Sequence, residues 1–325
     1  MCGRYALGLQ RAQIRALPGY PHLAIGEWIG ENDFVPRYNI APNTNAPVIR
    51  RCTNAGPSTT HPESDAKDTP SSSLIMQTMR WGIHYGKQPS KGSQAINARS
   101  ENLIEGVGMW NKFRGKGRCI VVCQGYYEWQ TKGKDKLPHF TKHPDGKVML
   151  MAGLYEETSD KRIAFLSFCL GIALEIIIPV SGQSQSTYTF AIVTTDASRA
   201  MSWLHDRQPV ILSSADEINR WLDTSSRTWS SDLARLLHPW EDTTAPLQCY
   251  QVPKELGKVG TESPKFIEPV AERKDGIMAM FAKQKSKQAE SSVKRKRSSS
   301  PTRLLSIPKT ATKKEEHEEK KVKLV

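Results

Sequence analysis

Residues 118–129 read RCIVVCQGYYEW, Arg118 to Trp129. The β-branched and aromatic side chains suit a packed, pleated strand, and Gly125 marks a bend or bulge within it. Further runs of the same kind lie on either side. APVIR (46–50) follows the turn-rich NIAPNTN, and KVMLMAGLYE (147–156), TFAIVTTDA (189–197), QPVILS (208–213) and QCYQVP (248–253) come later. Helical patterns are fewer: LQRAQIRAL (9–17), ADEINRWLDT (215–224) and SDLARLLHPW (231–240). Strands dominate and do not alternate with helices, which argues against a parallel α/β fold. The expected class is α+β: a single domain with an antiparallel, barrel-like β core and peripheral helices.

Composition divides the chain. Residues 271–325 carry 16 Lys and Arg against 7 Asp and Glu, so this tail holds +9 of the net +13. It is too polar to offset its ordering entropy and reads as a disordered basic tail. Residues 53–73 have the same polar character and read as a surface insertion. The domain is therefore expected over 1–270. The basic arm suits nucleic acid or transport, and Lys294, Arg295, Lys296 and Arg297 resemble a nuclear import signal. That signal implies a nuclear protein with a cytoplasmic pool. Ile277, Met280 and Phe281 form a weak match to a sliding-clamp contact.

The six cysteines show no C-x-x-C pair, the histidines are read as lacking zinc-ligand spacing, and no secretory signal is seen. Free thiols in a reducing compartment are expected, with no metal and no cofactor. Ile163 to Val180 is nearly all apolar but shorter than the ~20 residues of a membrane span. No membrane partner is expected.

Polar groups in apolar or turn surroundings are the candidates for chemistry. Asn97 and Arg99 stand in AINARSEN, Glu128 between Tyr127 and Trp129, and His205 and Arg207 in WLHDRQPVIL. A carboxylate beside aromatic rings loses hydration, which suits it to proton transfer. Each residue alone has an ordinary structural reading: a strand-edge carboxylate for Glu128, a hydrogen-bonded loop histidine for His205. At the start, MCGRY sets Cys2 behind Met1. Removing Met1 would give one residue both a thiol and a free α-amine.

In order, the chain contains MCGRY, RYNIAPN, MRWGI, NARSE, RCIVVCQGYYEW, AGLYE, TTDAS, HDRQPVIL and SPKFIEPV. Together these resemble the SOS-response-associated peptidase family, whose members are abasic-site-processing proteins. The resemblance implies covalent capture of abasic sites in single-stranded DNA, together with an older peptidase label tied to removal of Met1. Carried over residue by residue, it makes Cys2 the nucleophile and Asn97, Glu128 and His205 its catalytic companions. Arg4, Pro42 and Trp81 match positions expected to line a DNA groove, with Trp81 stacking on, or wedging beside, a base. Arg4, Arg99 and Arg207 are expected at phosphates. Ile163–Val180 does not fit the family pattern and is read as an insertion, of the kind an intron translated in frame would leave. Two other readings stay open: a cysteine peptidase acting on proteins, and a non-covalent single-stranded DNA-binding module.

Overall fold

The computed structural model describes residues 2–52, 74–85, 94–159 and 186–272. The insertions read at 53–73 and 163–180, the import signal and the clamp motif lie outside these residues. Within 118–129 the chain does two jobs. Strand β9 (Arg118–Cys123) belongs to one sheet and β10 (Gly125–Lys132) to another, with Gln124 between them. Gly125 is required at the switch, because a Cβ there would lie 2.4 Å from the Thr141 carbonyl oxygen.

The first sheet closes on itself. Strand β4 (Asn45–Arg51) pairs antiparallel with β5 (Leu74–Trp81) and with β9. Strand β12 (Met149–Ser159) pairs antiparallel with β9 and with β13 (Ser186–Asp196). A parallel contact of β13 with β5, Thr189 opposite Arg80 and Phe190 opposite Trp81, completes a five-strand ring. Closure leaves no edge along the ring, so no unpaired backbone is left there. Every residue of β9 is buried, which explains an unbroken apolar run where a one-sided strand would alternate. Its outer side is covered in part by a helix at Ala215–Leu222, here α3, whose Trp221 Nε1 donates to the Cys119 carbonyl at 2.8 Å. That helix starts as its sequence suggests. Ser214 and Glu217 cap each other's backbone amides, and Ile218, Trp221 and Leu222 form the buried face.

The second sheet runs β15 (Gln248–Gln251), β11 (Asp135–Lys142), β10, β1 (Arg4–Leu7), β3 (Arg37–Ile40), all antiparallel. A separate antiparallel pair joins β6 (Ile83–His84) to β7 (Gln94–Ala95). Strand β8 (Asn97–Arg99) pairs parallel with β13, and β14 (Arg207–Pro209) pairs antiparallel with its end. Strand β2 (Ile25–Ile29) also pairs parallel, with β5. The expected α+β barrel is present, and its parallel joints are the addition. Three helices are shorter than their patterns suggest, α1 (Arg11–Arg15), α3 and α4 (Ser231–Ala234), and α2 (Ser100–Glu105) is an addition. Among the described residues, no helix is long and apolar enough to cross a membrane.

Candidate active site

Cys2 leads directly into β1, which lies between β10 and β3 in the second sheet. Its side chain is fully buried, and its thiol contacts the Arg4 carbonyl at 3.9 Å. Burial drives the thiol well above the ordinary range, and the charges of Glu128 and Cys123 push the same way. The sulfur is therefore held as a neutral thiol. Asn97, at the start of β8, donates from Nδ2 to the Cys2 carbonyl at 2.9 Å. Its Oδ1 is buried and has no hydrogen-bond partner among the described residues. One amide thus fixes the Cys2 backbone and keeps an acceptor beside it. Glu128 is 4% exposed and is drawn into this group by β10.

His205 closes a tight turn. Its amide bonds the Met201 carbonyl, and Ala197 N–H donates to the Asp206 carbonyl at 2.9 Å. The ring Nδ1 accepts the Arg207 amide at 3.1 Å and lies 2.5 Å from Asp206 Oδ1. Nδ1 thus faces both a backbone donor and a carboxylate oxygen.

Three residues expected at DNA are placed otherwise. Trp81 is fully buried, stacked on Phe190 at 6.3 Å and tilted against Tyr5 at 5.1 Å, with Nε1 donating to the Ile96 carbonyl. Its ring is enclosed in the core beside the barrel closure. Gly82 follows at φ +125°, and its amide donates to the Phe190 carbonyl at 2.7 Å, which turns the chain out of the barrel. Arg4 is buried too, donating to Asn39 Oδ1 at 2.6 Å and to the Leu256 carbonyl at 3.2 Å. It ties the first strand to the end of the domain. Arg207 is 6% exposed, and its guanidinium bonds Glu101 at 2.5 and 2.8 Å, Asp196 at 2.7 Å and the Thr194 carbonyl at 2.7 Å. Glu101 is held down to about 2 by this pairing. In this structure both guanidinium groups are engaged by partners within the protein.

The rim supplies other cations. Arg99 is exposed two residues beyond Asn97, so the two share a face of β8. Arg80 is exposed as well and donates to Asn43 Oδ1 at 3.0 Å. Asn43 adopts φ 69°, next to half-buried Pro42. Sequence reading also passed over His139, which sits opposite Glu128 in the β10–β11 register. The histidine spacing needs correction: His139 and His143 have three residues between them, the H-x3-H spacing of many zinc-binding pairs. Among the described residues, no three metal-ligating side chains converge. A cavity of ≈ 540 Å³ lined by Arg51, Lys116, Tyr155, Asp223 and Arg227, among others, contains none of these site residues.

A buried cysteine at the head of a strand, braced by an amide and coupled to a carboxylate on a closed barrel, defines an α+β protein built around its second residue. The sequence pattern of the SOS response associated peptidase (SRAP) family matches residues 1–259, and the chain belongs to that family. It is 32% identical over 248 residues to the abasic site processing protein of Saccharomyces cerevisiae, covering 74% of this chain and 55% of that one. It thus spans little more than half of the yeast protein's length. Against abasic site processing protein HMCES of Xenopus tropicalis it is 30% identical over 256 residues, covering 75% of this chain and 72% of that one. YoqW of Bacillus subtilis, also named an abasic site processing protein, is 27% identical over 271 residues, covering 82% and 99%. A solved structure from Bacteroides thetaiotaomicron shares the fold, with TM-score 0.60 and 19% identity, covering 82% of this chain and 99% of that one.

Proposed function

We propose that this protein captures abasic sites in single-stranded DNA as a covalent thiazolidine on Cys2, after Met1 is removed. The observation that carries this reading is Cys2 itself, held through its carbonyl by Asn97 and lying within the field of buried Glu128. An abasic sugar opens to an aldehyde. The Cys2 α-amine attacks it, water leaves, and an imine forms. An α-amine has a reference pKa near 7.7–8.0, so much more of it is neutral at pH 7 than of a lysine. The thiol then adds across the imine: the C–S bond forms and the thiol proton passes to nitrogen. Ring closure is intramolecular, so a neutral, buried thiol suffices.

Glu128 is assigned the proton transfers at the amine and a part in releasing Met1. His205 is assigned protonation of the sugar oxygen during ring opening. Asn97 Oδ1 accepts from the amine or the sugar. Arg99 meets a flanking phosphate, giving a salt-sensitive contribution to affinity. Lesion shielding in the DNA damage response and a nuclear location, through Lys294 to Arg297, belong to the same proposal.

The test is a denaturing gel with a strand carrying one abasic site and an undamaged control. A retarded band only with the abasic strand, lost in Cys2→Ala, is expected. A band that persists in Cys2→Ala, or none from protein lacking Met1, refutes the scheme. Peptide hydrolysis without DNA would instead support a cysteine peptidase.

A further inference from the structure

We propose that Trp203 and His139 form a stacking ledge at the mouth of the Cys2 site, which receives the nucleobase next to the lesion. This rests on the abasic-site reading and adds a subsite to it. The aromatic that the family resemblance assigned to stacking, Trp81, is sealed in the core. Trp203 is the reverse case, a large aromatic left 48% exposed. Its ring meets His139 edge-on, with centroids 5.2 Å apart and planes at 82°. His139 lies directly opposite Glu128 in an antiparallel pair. Their Cβ atoms therefore share a face about 5 Å apart. The exposed indole stands one side chain away from the carboxylate assigned to the chemistry.

The ledge is rigid before DNA arrives. His139 Nδ1 donates to the Leu137 carbonyl at 2.9 Å, which fixes the ring, and burial favours its neutral form. Trp203 sits in the 197–206 turn, where Leu204 N–H donates to the Met201 carbonyl at 2.9 Å. Arg207 anchors that turn through Asp196 and Glu101. A fixed aromatic face loses little entropy on binding. Such faces take any base, which suits a protein whose target is defined by a missing one. The same turn carries His205, so a base seated on Trp203 would set the adjoining sugar against both His205 and Glu128.

The experiment compares initial crosslinking rates at limiting strand concentration. One strand has ordinary bases on both sides of the abasic site. Two others replace the 5′ or the 3′ neighbour with an inert baseless spacer. Losing one neighbour should slow the wild-type protein about 5- to 150-fold, the range measured for one base–aromatic stack. Trp203→Ala should lose the same factor on the full strand and then ignore that spacer. Trp203→Phe, which keeps a π-face, should retain most of the rate. Equal rates for wild type and Trp203→Ala, or a Trp203→Ala penalty undiminished on both spacer strands, would overturn the ledge and leave the crosslink standing. Absence of any wild-type crosslink would overturn the underlying reading, and the ledge with it.

Discussion

His143 offers a test of the interior with a magnitude set by the structure. It follows β11, is fully buried, and lies edge-on to Trp240 with centroids 5.2 Å apart. Neither ring nitrogen has a hydrogen-bond partner among the described residues. Burial first, then the Lys147 charge, hold it down to about 4, while Asp145 and Asp242 act weakly the other way. In the unfolded chain a histidine titrates near 6.5. The folded value is the lower one, so the stabilisation is fully present above about pH 6.5 and is lost as pH falls towards about 4. At 1.36 kcal/mol per unit, that gap amounts to about 3 kcal/mol. His143→Phe keeps a ring against Trp240 and removes the titration. Its packing offset does not change with pH, so the pH dependence of the difference isolates the histidine. Urea unfolding at about pH 7, 5.5 and 4.5 measures it. The stability of the wild type relative to the variant should fall by about 3 kcal/mol from pH 7 towards pH 4. Parallel losses in both proteins would show that His143 is not a buried neutral group and would refute the reasoning.

Four further outcomes are expected. Asn97→Ala removes the 2.9 Å bond to Cys2 and should cost about 1 kcal/mol of stability. It should also slow crosslinking at least about tenfold in a quenched time course; an unchanged rate would remove Asn97 from the mechanism. Arg207→Ala removes the charged hydrogen bonds to two carboxylates that water can still hydrate and should destabilise the fold by about 1–3 kcal/mol by thermal melting. The salt dependence of DNA affinity should weaken in Arg99→Ala and hold in Arg207→Ala; the opposite pattern would return Arg207 to the phosphate. Finally, Ser159 and Ser186, which flank residues 160–185 in the sequence, are direct cross-strand partners. Replacing them with Asn-Gly should give a two-residue hairpin that melts within a few degrees of the parent and crosslinks equally well. Failure to fold would show the segment to be integral.

The strands were legible because both faces of the barrel wall are buried, so RCIVVC and MLMAGL stand out as unbroken apolar runs. Gly125 announced the bend at which one strand enters the second sheet. The closure was hidden. Phe190 meets Trp81 across more than a hundred residues of chain, in a parallel pairing that no local pattern encodes. The same distance hid the partners of the arginines. Arg4 and Arg207 look like free cations until folding brings Asn39 and Leu256 to the first and Glu101 to the second. The burial of Trp81 was hidden for a related reason: MRWGI shows no periodicity that says whether its ring is inside or outside. Cys2, Asn97 and Glu128 came from the family resemblance, and the fold brings them together.

The account turns on which atoms of Cys2 end up bonded to the sugar. The adduct should be trimmed with nuclease, digested and read by mass spectrometry, with and without borohydride. The expected ion is a peptide that begins at Cys2, carries the sugar remnant, resists thiol alkylation and gains no hydrogen on reduction. A remnant on a lysine, an adduct that takes up hydride as an imine would, or a modified peptide still beginning with Met1 would contradict it.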